Sequence, residues 1–387
     1  SGMTWELRRP DFPYAATNFT AQPCQNAFRQ DPNTIYMVTD GSSDDSIVWV
    51  SSDNGVTWYD TGGRTNGRHS TILPVNNMTS LLSLGGKNSD INSFMPQVTS
   101  SDWGASWVNP QATQFSALGS NHRPSMERLS NGKLAFCGDA QHRDNWYPNT
   151  NDYDRGCYVA VSDDEGQSWY IKNLPVTLPH ESDLDYGTLG YSTIRQAPSG
   201  VIHVLTTMTH PCLHYELNEA WIYSADGDIA PENTGGTVSS YTENYDTGEL
   251  RAGWSARTCP DGRYLLDGTE TLYYKDGTVQ YQCTWASGEK TGTESFYGPD
   301  GTKIWSWEHG AAGSVTAKWI HYWPNGLKRI ESSWNTRPAA RDLPSRNFSG
   351  KVAEGVSYHW NEDGSAAAAY QFTDGEYTGD TTLPPAQ

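Results

Sequence analysis

The sequence predicts an all-β protein made of several small antiparallel sheets, and three observations predict this class. The pattern Ser-x-Asp-x-Gly-x-Ser/Thr-Trp occurs three times, at residues 51–58, 100–107 and 162–169. Aromatic residues make up 12% of the 387-residue chain and glycine contributes 37 residues, a composition typical of short strands joined by tight turns. After about residue 240, a shorter pattern built around Asp-Gly and Asn-Gly turns replaces the first one.

The first pattern suits a tight turn between two strands. Its Ser and Asp side chains can hydrogen-bond the turn backbone, its Gly supplies an unusual φ, and its Trp can pack beneath the turn. Each copy follows an apolar run that is typical of a strand, at 47–50, 95–98 and 158–161. Successive aspartates of the pattern lie 49 and 62 residues apart. This is the length of a four-stranded propeller blade, and residues 191–221 have the strand spacing of a fourth blade without the pattern.

The repeated pattern resembles the Asp-box of sialidase-like β-propellers, and residues 191–221 resemble the late-blade motif of non-viral sialidases. The resemblance implies a propeller. It says little about the reaction, because the box lies away from the active face in that family.

The C-terminal segment predicts a series of β-hairpins. Its Asp-Gly and Asn-Gly turns follow aromatic residues, a strong hairpin signal, and the segment resembles YwqK-like hairpin repeats. Two hairpins hold about as many residues as one blade. We therefore predict a β-propeller of seven blades, in which residues 1–240 form sialidase-like blades and residues 241–387 complete the ring. The competing layout is a closed propeller followed by an independent sheet. The turns are Asp276-Gly277, Asp300-Gly301, Asn325-Gly326 and Asp363-Gly364.

Composition and charge limit the class of partner. The net charge of −19 and the lack of a basic patch argue against nucleic acid as a partner. The sequence has no apolar run long enough to span a bilayer. Residues 1–3 resemble a cloning remnant, which fits a removed secretion signal, so we expect a secreted or periplasmic monomer. The six cysteines lack CxxC pairs and are expected to be mostly buried thiols, with one or two disulfides if the protein is secreted.

The inner strands of a propeller bring equivalent residues to one mouth of its central channel. Overlaying the predicted inner strands gives one residue from each strand, and period-two geometry points these side chains the same way. Arg68 and His122 precede two of them and are expected on the rim, and His210 is expected to line the channel. The overlaid residues are Gln25, His69, Arg123, Tyr191 and Trp254.

This set of side chains fits β-elimination at a uronic acid. Removing the proton α to a carboxylate requires a cation, a base and an acid that protonates the leaving oxygen. Arg123 fits the first role because a guanidinium binds carboxylates in bidentate fashion. His69 and Tyr191 fit the other two, and the sequence leaves open which of them is the base. In this respect the set is similar to that of propeller-fold polysaccharide lyases.

The predicted function is thus a polysaccharide lyase, or a related dehydratase of unsaturated uronyl oligosaccharides, with an acidic polysaccharide such as ulvan as substrate. Substrate contacts are expected from Arg68, His122, His210, Trp254 and Gln25.

Two other functions remain open. Arg123, followed by a Gly-Lys-Leu segment, resembles the first arginine motif of sialidases, which implies an exo-glycosidase using three arginines, a Tyr–Glu pair and an Asp acid. However, the expected Arg-Ile-Pro is Arg-Pro-Ser here, and hairpin repeats occupy the region where the last arginine and the tyrosine should lie. The third function is a non-catalytic propeller that binds glycans through its aromatic hairpins.

A metal site is a further hypothesis. Four residues would point to one face of an extended strand and are plausible zinc ligands, namely His210, Cys212, His214 and Glu216. Because such spacing rarely brings every ligand to one ion, another ligand is expected from elsewhere, with Cys259 and His203 as candidates.

Two loops rich in Asp and Asn, at 40–45 and 149–154, could bind calcium through oxygen atoms, although such loops are also typical of solvated turns. The predicted reaction requires no cofactor. Zinc or calcium would therefore be structural.

Overall fold

The computed structural model describes residues 19–41, 44–118, 122–140, 156–174, 191–207, 213–223, 235–260, 264–311, 316–337, 350–373 and 376–387. The chain forms two compact units, of which the first contains residues 6–223 and the second contains residues 224–387. Within the described ranges, every element is a strand except the five-residue helix α1 (Glu219–Tyr223). The prediction of an all-β protein is confirmed.

In its described part, the first unit contains four antiparallel sheets, each an up-and-down meander. Sheet 1 has strands β1 (Phe19–Arg29), β2 (Ile35–Gly41), β3 (Ser46–Ser51) and β4 (Tyr59–Arg64). Sheet 2 has β5 (Thr71–Val75), β6 (Ser80–Leu84), β7 (Phe94–Ser100) and β8 (Val108–Ser116). Sheet 3 has β9 (Ser125–Arg128), β10 (Leu134–Ala140), β11 (Gly156–Ser162) and β12 (Tyr170–Asn173). Sheet 4 has β13 (Tyr191–Gln196), β14 (Ile202–Thr207) and β15 (Leu213–Leu217).

These sheets have a β-propeller arrangement, because their first strands meet at the centre. Strand β1 lies against β5, β9 and β13. The buried Asn26 amide donates hydrogen bonds to the carbonyls of Ile72 (3.0 Å) and Met126 (2.9 Å), which joins β1 to its two neighbours. The predicted propeller is confirmed, but it has four described blades, and the prediction of seven blades is wrong.

The three Asp-box turns share one hydrogen-bond pattern, as predicted. In each turn the Ser hydroxyl accepts from the Gly N–H at 2.8 Å, and the Asp carboxylate accepts from the Ser or Thr N–H. Two of the turns also join sheets. The Gly104 carbonyl accepts from Thr61 and Gly63 of sheet 1, and the Glu165 carboxylate accepts from Asn76 and Arg128. These two boxes therefore hold neighbouring blades together.

The described residues of the second unit form one continuous antiparallel sheet of twelve strands. Strands β16–β19 are Val238–Asn244, Leu250–Thr258, Tyr264–Leu266 and Gly268–Tyr273. Strands β20–β23 are Val279–Ala286, Glu289–Tyr297, Lys303–Gly310 and Thr316–Tyr322. Strands β24–β27 are Lys328–Arg337, Gly350–Trp360, Ala366–Thr373 and Glu376–Asp380.

This continuous pairing explains why the hairpin segment does not supply three further blades. Successive hairpins pair through their edges, as in the directly opposite pairs of Tyr281 with Phe296 and Trp305 with His321. Trp254, which was predicted to lie on an inner propeller strand, lies on β17, which pairs with β16, β18 and β19 of the same sheet. The four predicted turns are confirmed, since each Gly N–H donates to the carbonyl three residues before it.

No helix within the described ranges has the length and apolar character that a membrane span needs. Four cysteines, Cys137, Cys157, Cys259 and Cys283, are buried free thiols, as predicted. Burial raises the pKa of the Cys283 thiol to about 12, so this thiol is protonated at neutral pH.

The second unit contains a buried ionic cluster around Glu294. The Glu294 carboxylate accepts hydrogen bonds from His309 Nε2 (2.7 Å), Lys290 Nζ (2.7 Å) and the Tyr281 hydroxyl (2.9 Å). Burial alone would raise the pKa of Glu294, but the His309 hydrogen bond and the Lys290 charge lower it to about 2. The ionised carboxylate is therefore the form that the folded sheet stabilises.

We expect Glu294→Gln to destabilise the second unit by on the order of 2–3 kcal/mol at neutral pH. Because the folded pKa of Glu294 lies below its ordinary value, the ion cluster stabilises the fold above about pH 4.5. This stabilisation is lost as the pH falls toward 2. Thermal unfolding of both proteins between pH 7 and pH 3 measures the effect. A stability difference that stays constant over this range would contradict the assignment.

Candidate functional site

A cluster of polar side chains lies where the first strands of the blades begin. His69 precedes β5, Arg123 precedes β9, and Tyr191 begins β13. Arg123 and Tyr191 pair through their backbones, and the Ser192 N–H donates to the Arg123 carbonyl at 3.1 Å. The Arg123 Cζ lies 5.2 Å from the centre of the Tyr191 ring, a cation–π contact. The structure thus brings Arg123 and Tyr191 together, as the inner-strand overlay predicts.

Asp40, at the end of β2, connects these residues. Its carboxylate is fully buried and accepts from Arg123 Nη2 at 2.6 Å and from the His69 backbone N–H at 2.9 Å. Arg68 Nη2 lies 3.4 Å from the same carboxylate. Burial alone would raise the pKa of Asp40, but hydrogen bonding from His69 and the charge of Arg123 hold it well below its usual range. Asp40 is therefore ionised throughout the physiological pH range.

His69 is fixed by its backbone and by its ring. Its φ is 61°, in the left-handed region that costs a non-glycine residue on the order of 1 kcal/mol. Its Nδ1 lies 2.6 Å from the His122 carbonyl oxygen, and because a carbonyl only accepts, Nδ1 carries a proton. Its Nε2 lies 3.4 Å from Asp40 Oδ2, longer than a normal hydrogen bond. In the neutral imidazole, Nε2 is therefore the nitrogen that carries the lone pair.

Two glycines allow the His69 turn to pack closely against the turn after β6. A Cβ on Gly85 would lie 2.5 Å from the Ser70 Cα, and a Cβ on Gly86 would lie 2.6 Å from the Asn66 carbonyl oxygen. This close approach lets the backbones of Arg68 and Lys87 exchange hydrogen bonds of 3.2 and 2.8 Å. The same contact brings the Lys87 side chain into the cluster.

Positive charge exceeds negative charge in this cluster. Arg68 and Arg123 contact the Asp40 carboxylate, and Lys87 lies within electrostatic range of both Asp40 and Asp44. Partial burial is the main cause that lowers the pKa of Lys87, and the charges of Arg68 and Arg123 add to it against the opposing charges of Asp40 and Asp44. Arg123 is nearly buried, whereas Arg68 and Lys87 remain partly exposed. The arrangement can therefore bind an anion from solvent.

Other predicted site residues lie elsewhere or outside the described residues. His122 is buried beside the cluster and contributes its carbonyl to His69. Trp254 lies in the second unit, where its indole N–H donates to the Tyr264 hydroxyl at 2.7 Å and its ring stacks on Tyr241. Gln25 is on β1, but its side chain is outside the described part of the chain.

The predicted metal ligands are only partly described. His210 and Cys212 lie outside the described residues. His214 is on β15, and its ring lies beside that of His203 on β14.

Asp40 and Lys87 were missed by the sequence reasoning. Asp40 was assigned to a possible calcium loop, although it ends an apolar strand whose last residues are all buried. Lys87 follows Gly85 and Gly86 in the sequence. Two adjacent glycines are typical of a close backbone approach, and this pair is the sequence signal for the position of Lys87.

No protein-family model matches this chain, and no curated protein matches it. Among solved structures, a GH43_1 enzyme from Xanthomonas citri superposes with a TM-score of 0.36 at 13% identity, over 71% of this chain and 93% of that chain. A Trypanosoma rangeli sialidase in complex with sialic acid gives 0.34 at 12% identity, over 85% and 58%. The endosialidase of phage phi92 gives 0.35 at 11% identity, over 85% and 56%. TM-scores this low carry no information about the activity of this chain.

Proposed function

We propose that this protein is a carbohydrate-active enzyme that cleaves a uronic-acid-containing polysaccharide or oligosaccharide, such as ulvan, by β-elimination. The observation that carries the proposal is the pair of arginines on one buried carboxylate beside a histidine and a tyrosine, with Lys87 within electrostatic range of that carboxylate. A uronate carboxylate could approach the partly exposed side chains of Arg68 and Lys87 from solvent. Aromatic residues at 12% of the chain are also typical of proteins that stack on sugar rings.

The cations act on the substrate's acid group in this proposal. Arg123 is held by Asp40, while Arg68 and Lys87 offer partly exposed charge beside it. Together they bind the uronate carboxylate and stabilise the enolate-like charge that develops when the α proton leaves. A preorganised positive site is effective here because its groups need not reorient during the reaction.

His69 and Tyr191 move the protons. Nε2 of His69 takes the α proton, and the nearby Asp40 carboxylate stabilises the resulting imidazolium. The electron pair of the broken C–H bond forms the new C=C bond as the bond to the leaving glycosidic oxygen breaks. The Tyr191 hydroxyl protonates that oxygen. His69 is assigned as the base because its Nδ1 proton is already engaged by the His122 carbonyl.

A sialidase-like exo-glycosidase is the second candidate, and the paired Arg68 and Arg123 favour it. That chemistry also needs a protonated carboxylic acid near the substrate. Asp40 is the carboxylate nearest these arginines among the described residues, and its lowered pKa makes it a poor proton donor. Glu127 comes four residues after Arg123 in the chain, and burial raises its pKa. Its Oε2 atom, however, lies 3.6 Å from Nη1 of Arg195. We therefore favour elimination over hydrolysis.

The test is a panel of acidic polysaccharides and their oligosaccharides, incubated with the protein without added cofactor. We expect ultraviolet absorbance from a 4,5-unsaturated uronate to grow with at least one substrate. New reducing ends without this absorbance would show a hydrolase instead. Retarded migration in affinity electrophoresis without any product would show a glycan-binding protein.

A further inference from the structure

The outer face of the β14–β15 hairpin carries two histidines and a glutamate at neighbouring positions. His203 on β14 lies directly opposite Glu216 on β15, and Leu205 lies directly opposite His214. Because side chains alternate along a strand, these four residues share one face. Val204 and Tyr215 occupy the other face and are buried. The backbone pairing thus fixes His203, His214 and Glu216 close together on the solvent-facing side.

The potential ligand atoms have the spacing that a metal ion requires. His203 Nδ1 lies 3.1 Å from His214 Nε2 and 3.8 Å from Glu216 Oε1, and all three ligand atoms lie within 4.8 Å of one another. In a tetrahedral zinc site, metal–ligand bonds of about 2.0–2.1 Å place neighbouring ligand atoms about 3.3 Å apart. One ion can therefore reach all three atoms with small side-chain adjustments.

We propose that His203, His214 and Glu216 bind a zinc ion that cross-links β14 to β15. Two imidazoles with one carboxylate form a ligand set that zinc uses in proteins, and nitrogen ligands disfavour calcium and magnesium. The three side chains are partly or fully exposed, so the ion can enter from solvent. The three ligands lie on β14 and β15, whereas His69 and Arg123 precede β5 and β9, and we therefore assign the ion the role of stabilising sheet 4.

Zinc titration of chelator-treated protein tests this proposal. We expect the wild-type chain to retain one zinc ion through gel filtration, measured by elemental analysis, and to gain thermal stability on zinc addition. His214→Ala and Glu216→Gln are each expected to weaken zinc binding by at least about tenfold and to reduce the gain in Tm. Both substitutions are on an exposed face, and circular dichroism checks that the variants fold.

Two variants serve as matched controls. Leu205→Ala changes the same face without removing a ligand atom, and His321→Ala removes a histidine from the sheet of the second unit. Both are expected to bind zinc as the wild type does. The proposal is overturned if the wild type binds no zinc, if the ligand variants keep its affinity, or if Leu205→Ala loses as much affinity as His214→Ala.

Discussion

Asp40→Asn is expected to destabilise the first unit by about 3–5 kcal/mol, because it leaves the buried Arg123 guanidinium without its counter-charge. The Asp40 side chain is fully buried, and its contact with Arg123 is a 2.6 Å ion pair between residues 83 positions apart in sequence. It also accepts the His69 N–H and so supports the left-handed turn at that residue. Chemical denaturation followed by circular dichroism measures the loss.

A second Asp–Arg pair provides the control for this prediction. Asp60 and Arg64 also form a 2.6 Å contact, but the Arg64 side chain is 32% exposed on the outer strand β4. Asp60→Asn is expected to cost less than about 1 kcal/mol, since water screens an exposed pair. Replacing Asp40 and Arg123 together by apolar residues should recover part of the stability lost in Asp40→Asn. Equal effects of Asp40→Asn and Asp60→Asn would show that the Asp40 pair has no special structural role.

Much of the local structure was predictable because the interactions that determine it are close in sequence. The Asp-box turns depend on hydrogen bonds within eight residues, as between Ser51 and Gly55. The number of blades depends on whether the edge strands of successive hairpins pair with each other, which the local sequence does not determine. The hairpin formed by β19 and β20 has the same length whether its edge ends a blade or pairs with the next hairpin. In the structure these edges pair, so one sheet forms where three blades were expected.

The candidate site was likewise predictable only in part. Period-two geometry on the inner strands correctly placed Arg123 beside Tyr191. The same reasoning treated Arg123 as a guanidinium open to substrate, whereas the structure pairs it with Asp40. Asp40 lies on a second strand, which the overlay of first strands did not include. Lys87 comes from a turn, whose approach to Arg68 depends on tertiary packing at Gly85 and Gly86.

Tyr191→Phe is expected to lower the turnover number of the proposed elimination by about 10²–10⁴-fold while leaving the fold intact. The substitution removes only the hydroxyl, which we assign as the acid for the leaving oxygen. The phenyl ring can keep its place 5.2 Å from the Arg123 guanidinium, so the cation–π contact and substrate binding should persist. The expected signature is a fall in kcat with little change in KM, measured by ultraviolet absorbance on the substrate found in the panel.

Tyr170→Phe is the matched control, because it removes a hydroxyl that contacts the Tyr223 carbonyl at 3.3 Å on the surface of sheet 3. This variant should turn over substrate at the wild-type rate. If Tyr191→Phe also kept that rate, the acid would have to be another group, and the tyrosine ring would serve only to position Arg123. If it raised KM without lowering kcat, the hydroxyl would bind substrate and not transfer a proton. The kinetic constants thus distinguish a chemical role for the phenol from a structural one.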